Sequence, residues 1–216
     1  MEEENLAIQA DVAYGIFEIF LHKALRLRGP YIFELVEKGA EFRDAINELF
    51  GEFEREYPAL ATTIKERYGG TETVYHMIQM GEGVFPTKTT LTFYIIQDAP
   101  QIGIHTVDDE NVGKWLIFVD PQQADEAWRI VRNATCAGLL GISSKVSTAK
   151  PNPESRDQRM VIFVYTRDWR DEQDVMRVRS QLRELGFVDR IGYKRNIETY
   201  RGEYSKKGKR VTYYSA

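Results

Sequence analysis

Lys114 and Trp115 stand side by side at the entrance to an apolar run, NVGKWLIFVD, residues 111–120. A lysine at the mouth of a strand has two uses. It keeps a sheet edge soluble, or it meets an anion at the rim of a pocket. Other cations hold comparable places: Lys145 on Ile142–Ser147, Arg167 after MVIFVYT, and Lys194 and Arg201, seven apart in YKRNIETYRGEY. Arginine grips phosphate bidentately, and lysine supplies a point charge. The spacing leaves two arrangements open. The five cations converge on one rim, or they are unrelated surface side chains. The nearby group Lys206-Lys207-Gly208-Lys209 reads as a solvated turn.

The 216 residues carry 29 Lys and Arg against 33 Asp and Glu, a net charge of -4, so any anion site is a local patch. A single cysteine, Cys136, excludes an internal disulfide and a thiolate metal cluster; in NATCAGLLG it reads as a small buried filler. His22, His76 and His105 are scattered without metal-ligand spacing, so no metal or other cofactor is expected. The N-terminus, MEEENLAIQAD, lacks the basic start of a signal peptide, and no apolar run approaches the ~20 residues of a membrane span. The expectation is a cytoplasmic protein that does not cross a membrane.

Positioning the cations falls to the elements around them. Leu6, Val12, Ile16, Ile19 and Phe20 recur at helical spacing, and Gly29-Pro30 breaks that helix. Phe33, Val36, Phe42, Ile46, Leu49, Phe50 and Phe53 form a second run, Pro58 marks a bend, and Ala59–Tyr68 is a last short helix before Gly69-Gly70. Residues 1–70 therefore read as an acidic helical block, and 71–216 as an α+β domain. Thr73–Met80 and Thr89–Ile96, rich in β-branched and aromatic residues, read as two strands around a Gly81/Gly83/Pro86 loop.

A strand–helix–strand unit follows. Lys114–Val119 is its strand, and Asp120 caps a helix that starts with Pro121. Ala124, Trp128, Val131 and Thr135 share one helical face, Gly138 or Gly141 ends it, and Ile142–Ser147 returns. After the loop AKPNPESRD the pattern recurs: Met160–Thr166 is a strand, Asp171 and Asp174 suggest a capping pair, and Val175, Val178, Leu182 and Leu185 form a helical face. Gly186 stops that helix, and Val188–Lys194 is the next strand. WLIFV answers MVIFV, and both second strands carry a cation. Ile197–Tyr204 and Arg210–Ser215 read as a closing hairpin. The sum is a mostly antiparallel curved sheet with helices packed on one face and the other face free to bind.

The stretches GKWLIFVD, VIFVYTRDWRDEQDVMRVRSQLRELG, IGYKRNIETYRGEY and VTYYS resemble the family typified by basophilic leukemia expressed protein. The resemblance covers roughly residues 110–216 and implies the fold of the cap-binding translation initiation factors. A fainter resemblance is to the bacterial phosphothreonine lyases, which eliminate phosphate without metal or cofactor. Their lysine–tryptophan pair, with lysine as general base, is matched by Lys114-Trp115. Their two phosphate-gripping arginines seven apart are matched by Lys194 and Arg201, with lysine in the first place. Arg167 falls in the place of another phosphate-binding cation, and Lys145 is a looser match. The lyases use a histidine acid upstream; TKTTLTFYII has none, and His105 is the nearby substitute.

The chemistry this implies is coherent. β-Elimination needs a base for the Cα proton, and neighbouring cations depress a lysine's pKa while stabilising the departing phosphate. Three readings stand. One is a phosphate-recognising protein related to the phosphothreonine lyases, with or without activity on a phosphorylated peptide. Another is a binder of a nucleotide-like anion or RNA that stacks a base on a tryptophan, with Trp115, Trp128 and Trp169 available. The third is a protein-interaction module working through its N-terminal helices.

Overall fold

The computed structural model describes residues 2–100, 108–153, 158–200 and 212–216. The chain divides into two compact units: Met1–Phe93 with Thr148–Pro153, and Tyr94–Ser147 with Glu154–Ala216. No helix among the described residues is long and apolar enough to cross a membrane.

The first unit is helical: α1 (Glu2–Arg28), α2 (Ile32–Glu37), α3 (Arg43–Glu56), α4 (Pro58–Tyr68) and α5 (Thr71–Gln79). Pro58 opens α4 at a position that needs no N–H, and Gly69, at φ 83°, closes it in the left-handed conformation that favours glycine. Ile46, Leu49, Phe50 and Phe53 line one face of α3 at spacings of three and four. Phe17 of α1 meets Phe50 and Phe53 edge-on, with ring centroids 5.1 and 5.2 Å away. Such pairs add about 1 kcal/mol each to area burial.

One expected strand is absent and another is cut short. Thr73–Met80 falls largely within α5, where Val74, Tyr75 and Ile78 are buried at helical spacing, so packing overrides β-propensity. Of Thr89–Ile96 only the end is a strand, because side chains claim backbone groups that a ladder would use. The Glu82 carboxylate accepts from the N–H groups of Thr90 (2.9 Å) and Leu91 (3.1 Å), and Thr89 Oγ1 bonds Gly83 N and Phe85 O. With α5 helical, the boundary between the units lies at Phe93 rather than at the expected residue 70.

The second unit is one sheet with two main helices. Its elements are β1 (Tyr94–Asp98), β2 (Gly113–Val119), α6 (Pro121–Cys136), β3 (Ser143–Ser147), β4 (Met160–Thr166), α7 (Glu172–Glu184), β5 (Gly192–Arg195), α8 (Asn196–Tyr200) and β6 (Tyr214–Ser215). The order is β1-β3-β4-β2-β5-β6, and all five pairings are antiparallel. The α+β layout and the two strand–helix–strand units follow the sequence. Asp171 caps α7 by accepting from Asp174 N at 3.1 Å. The expected closing hairpin is replaced at its start by α8, and residues 201–211 lie outside the described residues.

The two β–α–β units interleave. In the order β3-β4-β2-β5, each unit's second strand lies beyond the other unit's first. Apolar side chains alternate along β2 and β4: Trp115, Ile117 and Val119, and Ile162 and Val164, join Trp128 and Val131 of α6 and Val175, Val178 and Leu182 of α7 in one core. Arg179 of α7, buried to 1% exposure, donates to the carbonyls of Phe187 (2.7 Å), Asp189 (2.6 Å) and Ala216 (3.0 Å). These bonds hold the connection to β5 and offset the cost of burying a charge. Gly141 lets the α6–β3 turn close on β4; a Cβ there would lie 1.9 Å from the Tyr165 carbonyl oxygen.

In the helical unit, Tyr14, Glu18 and His22 form a column one turn apart on α1. Burial, then the nearby Glu82, pushes the Glu18 carboxyl up to about 8; burial pulls His22 down to about 4. From pH 4.5 to 8 the folded chain keeps a proton on Glu18 that the unfolded chain has released, so stability falls as pH rises. From pH 6.5 down to 4 the unfolded chain takes up a proton on His22 that the folded chain refuses, so stability falls as pH drops. The slopes oppose each other between 4.5 and 6.5, and above 6.5 the Glu18 slope prevails over the tail of the His22 slope and over Lys114, which burial holds near 8, so that it discharges in the folded chain and adds stability. Chemical denaturation should show the chain losing about 1 kcal/mol between pH 6.5 and 8. Glu18→Gln should flatten that loss; an unchanged slope would clear Glu18 of it.

Candidate functional site on the open face of the sheet

Strand register arranges the face opposite α6 and α7. One row across five strands reads Asp98, Ser143, Tyr165, Lys114, Lys194; the next reads Ile96, Lys145, Phe163, Leu116, Gly192. Tyr94, two residues along from Ile96, shares the face. Lys145 Nζ lies 4.1 Å from the centre of the Tyr94 ring and 5.1 Å from that of Phe163. Lys114 Nζ lies 5.4 Å from Tyr165 and 5.7 Å from Phe163. The rings of Phe163 and Tyr165 are thus shared by two ammonium groups, and a third lysine stands directly across from Lys114.

Lys114 is only 7% exposed. Its Nζ donates to Asn196 Oδ1 at 2.9 Å, and Asn196 is fixed in turn by its own N–H bonding Val112 O at 2.8 Å. Burial, helped by the charges of Lys145 and Lys194, pulls the Lys114 ammonium down to about 8. Burial alone pulls Lys145 down. Below pH 8 the face carries three positive charges, two of them over aromatic rings, and suits an anion. Near pH 8 it also offers a fraction of free amine.

The support lies underneath. Gly113 has no side chain because Tyr193 passes there; a Cβ would sit 2.1 Å from its hydroxyl. That hydroxyl pairs with Thr166 Oγ1 at 2.5 Å, joining β5 to β4 beneath the lysines. Glu198 accepts from the Arg195 backbone N–H (3.1 Å) and guanidinium (2.8 Å), closing the turn that presents Asn196.

Of the residues singled out in the sequence, Lys114, Lys145 and Lys194 share this face. Arg167 is exposed beyond the end of β4, outside the register that aligns the lysines. His105 and Arg201 lie outside the described residues, as do Lys206, Lys207, Lys209 and Arg210. Trp115 does not share the face of Lys114. Neighbours on a strand point to opposite sides, and Trp115 is wholly buried, donating from Nε1 to Val175 O at 3.1 Å. Trp128 is in the same core. Trp169 packs against its edge, beneath the Arg195 guanidinium 4.9 Å away, with Nε1 bonded to Glu110 O. None of the three tryptophans is on the lysine face.

The rings that are there, Tyr94, Phe163 and Tyr165, were missed in the sequence, as was Asn196. MVIFVYT did carry a signal. Aliphatic residues at 162 and 164 alternate with aromatics at 163 and 165, so one side of β4 turns aromatic beyond Val161.

The model of the family described as basophilic leukemia-expressed protein Bles03 matches residues 34–202. The match reaches well into the helical unit, beyond the motif resemblance from residue 110. Among solved structures the chain is similar to C. elegans eIF4E-3 in complex with the 4E-binding protein Mextli and cap analog. That match has 17% identity, covers 50% of this chain and 65% of the other, and has a TM-score of 0.39. Schistosome eIF4E complexed with m7GpppA and 4E-BP matches at 15% identity over 50% of this chain and 62% of the other, TM-score 0.39. Ascaris suum eIF4E-3 with m2,2,7G cap matches at 17% identity over 56% and 68%, TM-score 0.38. The chain spans less than two thirds of the length of the first two.

Asn196→Asp tests the electrostatics of the site. A carboxylate 2.9 Å from Lys114 Nζ favours the ammonium form. In lysine-labelled protein followed by NMR, Lys114 should titrate near pH 8 in the parent and at least one pH unit higher in the variant. Equal midpoints would mean that Asn196 does not govern Lys114.

Proposed function

The chain belongs to the basophilic leukemia-expressed protein Bles03 family, and we propose that its open sheet face binds a nucleotide-like anion, one that joins a flat ring to phosphate. The observation that carries this reading is the union of Lys114, Lys145 and Lys194 with the rings of Tyr94, Phe163 and Tyr165 on one face. Stacking of a base on an aromatic ring contributes about 1–3 kcal/mol, and lysine point charges meet phosphate without imposing a sequence. The solved structures named above include complexes with cap nucleotides, which agrees with this ligand class.

Calorimetric titration with guanosine and adenosine triphosphates and with inorganic phosphate tests the proposal. The nucleotides should bind at least tenfold more tightly than phosphate, and more weakly as salt rises or as pH rises through 8 and Lys114 discharges. Lys145→Ala and Tyr165→Leu should each weaken nucleotide binding about tenfold. No binding at low salt, or binding indifferent to both changes, would overturn it.

A second reading is elimination of phosphate from phosphothreonine, with Lys114 as base. It draws support from the lowered pKa of Lys114 beside two cations. The same purified chain, incubated with a phosphothreonine peptide, should then yield the dehydrated product, and Lys114→Ala should yield none. Intact peptide from the parent chain rejects this reading. The protein-partner reading rests on a separate surface, the exposed Ile8, Val12, Ile16 and Ile19 of α1.

A further inference from the structure

Lys114 differs from an ordinary surface lysine in three ways. It is nearly withdrawn from water, its Nζ is held in one direction by Asn196, and it lies over the rings of Phe163 and Tyr165. Lys194 stands one strand away (~5 Å) and Lys145 two strands away (~10 Å) on the same face. An amine so placed has cations on both sides to hold an anionic group and a flat apolar floor to receive a ring.

We propose, on the basis of the anion-binding reading of this face, that the Lys114 ε-amine is an imine-forming nucleophile. Its reaction partner is a ring-bearing carbonyl compound that also carries a phosphate, which Lys145 and Lys194 hold. The lone pair of the neutral amine attacks the carbonyl carbon, and a C–N bond forms. The nitrogen gives up its protons, the carbonyl oxygen leaves as water, and C=N replaces C=O. The step needs no oxidant or reductant.

The amine must be unprotonated to attack, and burial with two neighbouring charges holds Lys114 near 8. About a tenth of the molecules therefore carry the free amine at pH 7, against well under a thousandth for an exposed lysine. Desolvation among cations is a recognised route to a nucleophilic lysine. Lys145 is the less suitable amine. It sits 4.1 Å from the Tyr94 ring, a contact that favours its charged form.

The probe is pyridoxal 5′-phosphate, with pyridoxal, its analogue without phosphate, as comparator. The full chain is incubated with each, reduced with borohydride and mapped by peptide mass spectrometry, alongside a nucleotide titration. The phosphorylated aldehyde should modify Lys114 in preference to exposed lysines such as Lys23 and Lys38, at least tenfold more than pyridoxal does. The adduct should vanish in Lys114→Arg. Label spread over exposed lysines without preference for Lys114 overturns the inference; if nucleotide binding holds in that sample, the binding reading survives. Equal labelling of Lys114 by both aldehydes also overturns it, because the phosphate then plays no part.

Discussion

The antiparallel pairing of β2 with β4 is the contact on which the second unit depends. It aligns seven residues of each strand, from Gly113 opposite Thr166 to Val119 opposite Met160. The pleat then divides each strand. Trp115, Ile117, Val119, Ile162 and Val164 go to the helices, while Lys114, Leu116, Phe163 and Tyr165 go to the other side. A slip of one residue would drive Lys114 into the core and Trp115 out of it. The apolar burial on the helix side therefore fixes the lysine side as well.

Burial, and after it the charges of Lys145 and Lys194, depresses the pKa of Lys114, so placing the three lysines on one face has an electrostatic cost. The fold offsets it with neutral acceptors and ring quadrupoles. Asn196 accepts from Lys114, and Tyr94, Phe163 and Tyr165 lie near the two ammonium groups; each such ring contact contributes roughly 0.5–2 kcal/mol. The amide oxygen of Asn196 accepts from Lys114 without adding a negative charge of its own. Arg195 shows the opposite case: Glu198 takes its guanidinium, and it is tied into the β5–α8 turn.

The helical unit follows a different logic. Glu18 is buried beside Glu82, and Gly83, at φ 73°, brings its Cα so close to the Glu18 carboxyl that a Cβ would lie 2.2 Å from Oε1. Glu82 is satisfied by the backbone of Thr90 and Leu91, while Glu18 keeps its proton to about pH 8. These carboxyl contacts turned Thr89–Phe93 from an expected strand into an irregular segment. Nothing local in TKTTLTFYII announces a glutamate seven residues upstream of Thr89 as its hydrogen-bond acceptor, so period and propensity misread it.

What the sequence determined by itself was whatever its local patterns carry. Gly29-Pro30, Pro58 and Gly69 delimit the helices because proline and glycine act on their own backbone. Alternation and capping in 114–147 and 160–194 yield two strand–helix–strand units because those signals span only a few residues. Only the tertiary structure decided which cations meet. Interleaving the two units carries Lys145 and Lys194 to either side of the β4–β2 pair, and strand alternation separates Trp115 from its neighbour Lys114. Which side chains share a face depends on pairing between strands far apart in the chain, and no spacing along one strand encodes that register.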